Sequence, residues 1–482
     1  MTVTDLPRLS RSDAPMPAVG VVHLGLGAFF RAHGARYFEA LMAEEGGDWG
    51  ILGVSLKSPT QSERLTPQGG AYTALELAPE GPVAHHMEVV QQVLVAPQDP
   101  EAVLAALAAP AVKLVTLTIT EKGYCHHPAS GKLNRDHPDI AADLADAQRP
   151  ASALGYLVRA IAARRAAGTP AFTVVSCDNL PDNGRVLRGV VLELAALIDP
   201  ELATWIAENI RFPATMVDRI VPATKPEDIA RVGEITGHYD AAPVMMEPFT
   251  QWVVEDDFAP HTRPALERVG VQMVARVTPF EDMKLRCLNG THSALAYLGY
   301  LGGLETISDT VAHPAYAAFV RGLWRDEIVP GLTPPDGVDL AAYADTLFSR
   351  YANPAIRHLT WQIAMDGSQK LPQRILFQLE EGFAAGRPMR GLTLAVAAWM
   401  RYVSGVDLSG APIDVRDPMA ERLRALSEAG DTPADKVAAL LSVSEIFSDT
   451  LQDNAAFRTA LTEAYTGLVA QGAVAMVESL NA

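Results

Sequence analysis

The run Val21-Val22-His23-Leu24-Gly25-Leu26-Gly27-Ala28-Phe29-Phe30-Arg31-Ala32-His33 decides the fold. Residues 19–25 form a short apolar stretch ending in glycine, the pattern of a buried strand. Residues 30–42 then set Phe30, Tyr37, Phe38, Leu41 and Met42 at helical spacing. Between them Gly25 allows a tight turn, and Gly27 lacks the Cβ that would hold a pyrophosphate off the backbone. The start of the helix turns its positive dipole end to the same point. A dinucleotide site is expected here, carried by Val22, His23, Leu24, Gly25, Leu26, Gly27, Ala28, Phe29, Phe30 and Arg31. The third glycine of the G-x-G-x-x-G fingerprint is absent, and Phe30 stands in its place. A lone G-x-G also fits an ordinary strand–helix turn, so its surroundings must decide.

Those surroundings alternate. Strands are predicted at 50–56, 113–119 and 172–176, and helices at 100–108, 154–164 and 184–197. Strand–helix alternation implies a parallel, doubly wound sheet. After residue 280 strand-like runs nearly vanish. Helices are predicted at 281–301, 315–328, 340–350, 371–385, 392–402, 419–428, 435–441 and 454–470, punctuated by prolines and glycines. The chain is therefore read as an α/β Rossmann-type dinucleotide-binding domain, 1–279, followed by a mostly α-helical substrate and catalytic domain, 280–482.

Composition narrows the function. The 482 residues are 49% hydrophobic and 20% charged, enough to bury large cores. The 39 Lys and Arg against 57 Asp and Glu leave a net charge of −18, which repels nucleic acid and anionic membranes. The cysteines Cys125, Cys177 and Cys287 lie far apart, giving neither a disulfide framework nor a zinc pattern. Cys125-His126-His127 reads as a surface loop, and no metal is expected. The start lacks a signal-peptide core and no long apolar run occurs, so a cytoplasmic protein is expected, as a monomer or weak homo-oligomer.

An acid on the ribose hydroxyls is expected roughly 20 residues after the glycine turn. There stand Ser55-Leu56-Lys57-Ser58, without a carboxylate. Lys57 and Arg64 suit a 2′-phosphate, or are plain surface cations, so residue chemistry leaves NAD against NADP open. In the helical half, Glu281, Lys284, Asn289 and His292 fall within an arc of about 140° on an α-helical wheel. A lysine there can act as a base on a hydroxyl, Asn289 can donate to the developing alkoxide, and His292 can orient the substrate. The same face also fits a solvated polar stripe.

Seven runs carry a resemblance over nearly the whole chain: GLGAFFRAH (25–33), TEKGYC (120–125), SCDNLPDNG (176–184), FPATMVDRIVP (212–222), EPFTQWVVEDDF (247–258), MKLRCLNGTHS (283–293) and QIAMDGSQKLPQR (362–374). The chain resembles the long-chain polyol dehydrogenases of the mannitol dehydrogenase family, and among them the bacterial fructuronate reductases (D-mannonate oxidoreductases). The resemblance implies a metal-independent enzyme using NAD, with Lys284 as general acid/base. It places the alkoxide-binding asparagines at Asn179 and Asn289 and the substrate-positioning histidine at His292. Glu281 falls beside the lysine as a substrate-binding residue, Glu121 after the strand at 113–119 as a cofactor residue, Val217 and Asp218 near the nicotinamide, and Lys370 on the substrate side. Relatives carry histidine where Phe30 stands, and polyol members carry arginine where Gln362 stands.

Lys370 and Arg374 are four residues apart, so on a helix they share a face. Both suit a carboxylate, and Arg357 with His358 is a further candidate. The expected reaction is therefore D-mannonate–D-fructuronate interconversion. A mannitol, arabinitol or sorbitol 2-dehydrogenase is the alternative within the family. A dinucleotide-binding sensor without turnover has no need of a base, which speaks against that class.

Overall fold

The computed structural model describes residues 3–127 and 130–481. Residues 1 and 482, the outer limits of the two expected domains, lie outside the described residues. The chain divides into two compact units, Met1–Thr278 and Pro279–Ala482.

The first unit is built on a five-stranded parallel sheet in the spatial order Val90–Val95, Gly50–Ser55, Val19–Leu24, Leu114–Leu117, Thr173–Ser176. Alternate residues face opposite apolar layers. Val22, Leu24, Leu52, Val54 and Val115 join one, and Val21, Ile51, Val90 and Leu114 the other. Burial on both faces explains why these strands read as continuous apolar runs. Val19–Leu24 lies in the centre, and the strands beside it leave in opposite directions. The crevice at its carboxyl end is thus the topological switch point, where ligands of open α/β sheets bind.

Three local readings need correction. The helix expected at 30–42 is two helices, Ala28–Ala32 and Gly34–Glu45, broken at His33. In the first of them Phe30 stacks back on His23, ring centroids 3.4 Å apart and nearly parallel. Second, Tyr72–Ala78 pairs antiparallel with Gly81–Met87 and parallel with Val244–Met246, and Thr215–Asp218, Gln251–Glu255 and Gln272–Val274 form another small sheet. Gly81–Met87 escapes detection because it is largely exposed and has no apolar alternation. Third, the long helices expected at 281–301, 315–328 and 371–385 each contain a π-helical stretch, at Lys284–Gly290, Leu323–Ile328 and Pro372–Leu376.

The named elements of the second unit are all helical. Arg390–Tyr402 is buried along nearly its whole length and packs against Thr291–Leu301, anchoring the segment that follows Lys284. Among the described residues no helix is long and apolar enough to cross a membrane.

Candidate active site

In the first unit a cleft of about 330 Å³ opens at the carboxyl ends of the three central strands. Gly25, Leu26 and Gly27 line one side, Ser55 to Ser58 another, and Thr118 to Thr120 a third. Gly25 has φ +89°, and a Cβ there would meet the Thr118 carbonyl oxygen at 2.2 Å, so only glycine fits. Gly27 differs. Its φ is −106°, and a Cβ would meet nothing closer than the Gly25 carbonyl at 3.7 Å. The protein itself has no need of glycine at 27; an open backbone approach at the switch point is what a pyrophosphate requires. The residues present therefore fit a dinucleotide.

The rest of that run supports the turn rather than lining it. Val22, Leu24 and Phe30 are in the core, and Ala28 and Phe29 pack against it. His23 bonds Thr116 and Thr118 through both ring nitrogens, at 2.8 and 2.9 Å, and burial brings its pKa down to about 3. Arg31 reaches the Ala242 carbonyl and lies over the Tyr72 ring. The helix that opens after the glycine turn is only five residues long, so what it offers an anion is the backbone N–H groups of its first turn more than a summed dipole.

Asp178 is a residue the motif reading passed over. Its carboxylate accepts from the Ile119 and Thr120 N–H groups and from the Tyr124 hydroxyl, each at 2.9 Å. It thereby holds Thr120 at a positive φ of +62° at the cleft wall. Asn179 follows it and is exposed, as is Glu121; Val217 and Asp218 are buried on their strand.

In the run Cys125-His126-His127 the last residue is exposed, as expected of a surface loop, but Cys125 itself is buried. Its sulfur, a His137 nitrogen and an Asp139 oxygen lie within 4.8 Å of one another. Each already has a role. Burial pushes the thiol up to about 11, His137 Nδ1 accepts from the Asp139 N–H, and Asp139 is salt-bridged to Lys57 at 2.8 Å.

In the second unit Lys284 is buried and opens the π-helical stretch. An i→i+5 pattern widens the turn, so wheel positions read at α-helical pitch do not hold; residues five apart, Lys284 and Asn289, swing toward one side. The carbonyls of this stretch are taken up by side chains. Cys287 O accepts from Trp324 Nε1 at 2.9 Å and Thr291 Oγ1 at 2.5 Å, and Leu288 O from the Tyr351 hydroxyl at 2.8 Å. Glu281 and Asn289 are half-buried. Gly290 is needed for close packing, since a Cβ there would lie 2.8 Å from the Arg374 carbonyl.

His292 stacks on Tyr351, centroids 5.4 Å apart, and faces His358 at 4.9 Å. Its Nε2 is inaccessible and has no hydrogen-bond partner among the described residues. Burial, then His358 and the charges of Arg374, Arg350 and Lys370, hold it well below the ordinary histidine range. Lys370 and Arg374 are not on one regular helix, because Pro372–Leu376 is π-helical. They nevertheless lie close: burial and then Arg374 lower the Lys370 pKa. Lys370 Nζ donates to the Met365 carbonyl at 2.6 Å, and Arg374 to Ser293 Oγ at 3.1 Å. Arg357 instead pairs with Glu305 on the surface at 2.5 Å. Arg350, buried at the end of its helix, completes the cationic group and was not singled out from sequence.

These neutral imidazoles have a measurable consequence. Burial takes His358 down to about 4, while in the unfolded chain it titrates near 6.5. Below pH 6.5 the unfolded state then binds the extra proton, so stability falls as pH drops from about 6.5 to about 4, by about 1.4 kcal/mol per pH unit for this histidine. His358→Gln removes that share. Its unfolding midpoint should depend less steeply on pH than the wild type's between pH 6.5 and 4.5, and an equal slope would refute the assignment.

Comparison with known proteins adds the family. Residues 19–268 match the mannitol dehydrogenase Rossmann domain and residues 276–469 the mannitol dehydrogenase C-terminal domain. The chain belongs to the mannitol dehydrogenase family of oxidoreductases. It is similar to the D-mannonate oxidoreductase of Escherichia coli, 48% identical over 464 residues and 95% of each chain. It is also similar to the mannitol 2-dehydrogenase of Phaeosphaeria nodorum, 40% identical over 95% of this chain and 80% of the other. Among solved structures, Pseudomonas fluorescens mannitol 2-dehydrogenase in ternary complex with NAD and D-mannitol matches with TM-score 0.84 and 38% identity, over 99% of this chain and 98% of that one. Gly25, Gly27, Glu121, Asn179, Val217 and Asp218 fall inside the first mannitol dehydrogenase match, and Glu281, Lys284, Asn289, His292, Lys370 and Arg374 inside the second.

Proposed function

We propose that the protein is an NAD-dependent oxidoreductase interconverting D-mannonate and D-fructuronate. The observation that carries this reading is the set of positive side chains around His292: Lys370, Arg374 and Arg350. In a chain of net charge −18, cations gathered around a half-buried imidazole suit a substrate that carries a carboxylate. The 48% identity to a D-mannonate oxidoreductase supports the same choice.

A dinucleotide held at the Gly25–Gly27 turn would supply the hydride acceptor for oxidation of the carbinol carbon. Lys284 takes the hydroxyl proton in oxidation and returns it in reduction. The Asn289 amide donates to the alkoxide oxygen, and the resemblance gives Asn179 the same role. The resemblance gives neutral His292 the substrate-positioning role, with Tyr351 stacked against the ring. Glu281, one turn before Lys284, orients it. In the first unit Gly25 and Gly27 admit the pyrophosphate, and Glu121, Val217 and Asp218 serve the nicotinamide end. A polyol 2-dehydrogenase is the second reading, favoured by the identity to mannitol 2-dehydrogenases. Steady-state rates at matched concentrations separate the two. D-mannonate should be oxidised with a kcat/KM far above that for D-mannitol; the reverse order would reject the sugar-acid assignment.

A further inference from the structure

The cleft in the first unit lacks the acid that usually closes its ribose end. The second strand ends at Ser55, and no carboxylate follows until the exposed Glu63, which does not line the cleft. One carboxylate does line it, that of Asp139, brought from a different element at the start of the helix Pro138–Ala145. It meets Lys57, the one cation of the lining, at 2.8 Å.

Taking the NAD reading above as its basis, we infer that Asp139 is the carboxylate that receives the adenosine ribose hydroxyls, and that with Lys57 it sets the preference for NAD over NADP. An ionised aspartate only accepts hydrogen bonds, with about four lone-pair positions on two oxygens. Lys57 takes one oxygen, Oδ2, and leaves capacity for a diol that donates. The lysine holds the carboxylate in place, and the carboxylate in turn neutralises the lysine. A 2′-phosphate entering here would meet the aspartate charge and find the lysine already engaged. The pair is not there for stability: Lys57 is 68% exposed and Asp139 30%, and exposed pairs contribute little. Asp139 is thus a specificity residue that a search for an acid after the second strand cannot find.

Fluorescence titration of the wild type, Asp139→Asn and Gly27→Val with NADH and with NADPH, without substrate, tests this. The side chain of Asp139 bonds only Lys57 among the described residues, so Asp139→Asn should unfold at the wild-type temperature. It should bind NADH about tenfold or more weaker, the scale of one charge-assisted hydrogen bond, and NADPH more tightly, as Lys57 is released. Gly27→Val should lose both ligands. If the wild type binds NADH, Gly27→Val does not, and Asp139→Asn keeps the wild-type NADH and NADPH affinities, the ribose assignment is overturned while the cofactor reading stands. If wild type and Gly27→Val behave alike, both fall.

Discussion

Replacing Lys284 by alanine should lower kcat for mannonate oxidation by about 10²–10⁴-fold, the usual worth of a positioned proton acceptor. NADH affinity should hardly change, because the dinucleotide cleft is lined by residues of the first unit. Lys284 is buried at the mouth of a π-helical stretch whose carbonyls are held by Trp324, Thr291 and Tyr351. That stretch should survive loss of the ammonium group, so a fall in turnover reports chemistry rather than unfolding. Small primary amines added to the variant should restore part of the rate, since they supply the missing base. Near wild-type turnover in Lys284→Ala would remove it from the mechanism.

The second large effect concerns substrate choice. Lys370→Met and Arg374→Met each keep an apolar stem and delete the charge. A desolvated charge-assisted contact is worth about 1.5–3 kcal/mol, which is roughly ten- to more than a hundredfold in kcat/KM. Fructuronate reduction should drop by that factor while a neutral ketose of equal length is far less affected. The two-substrate comparison matters because both groups are substantially buried, and a general packing defect would slow both substrates equally. Lys370 should show the larger effect, because the family resemblance assigns a substrate role to that position. If both variants reduce fructuronate normally, the carboxylate lies elsewhere. Arg350 is then next, since Arg357 is engaged with Glu305 at the surface.

Much of this was legible in the chain itself. The glycine turn at 25–27 could be read because its demand is local: φ +89° at Gly25 and no Cβ facing the ligand at Gly27. The central strands could be read because they are buried on both faces. The break at His33 could not, since it depends on Phe30 reaching back to His23 and on His33 bonding the Gln251 carbonyl at 2.9 Å. The second partner lies 218 residues away in the chain, and the helical spacing of 30–42 continues regardless.

The same division runs through the site. The residue types, and hence the chemistry of base, amide donor and imidazole, follow from the sequence, because motifs such as MKLRCLNGTHS place them in one short segment. Their angular arrangement was decided by tertiary structure: hydrogen bonds from Trp324 and Tyr351, 37 and 63 residues away in the chain, stabilise a π-helical turn that no α-helical wheel describes. Asp139 and Arg350 are further cases. Neither has a neighbouring motif, and each gains its place only because the fold brings a distant helix end to the cleft or to His292. Short-range geometry is written in neighbouring residues, whereas burial, charge pairing and the partners of π-helical carbonyls depend on groups that only the folded chain brings together.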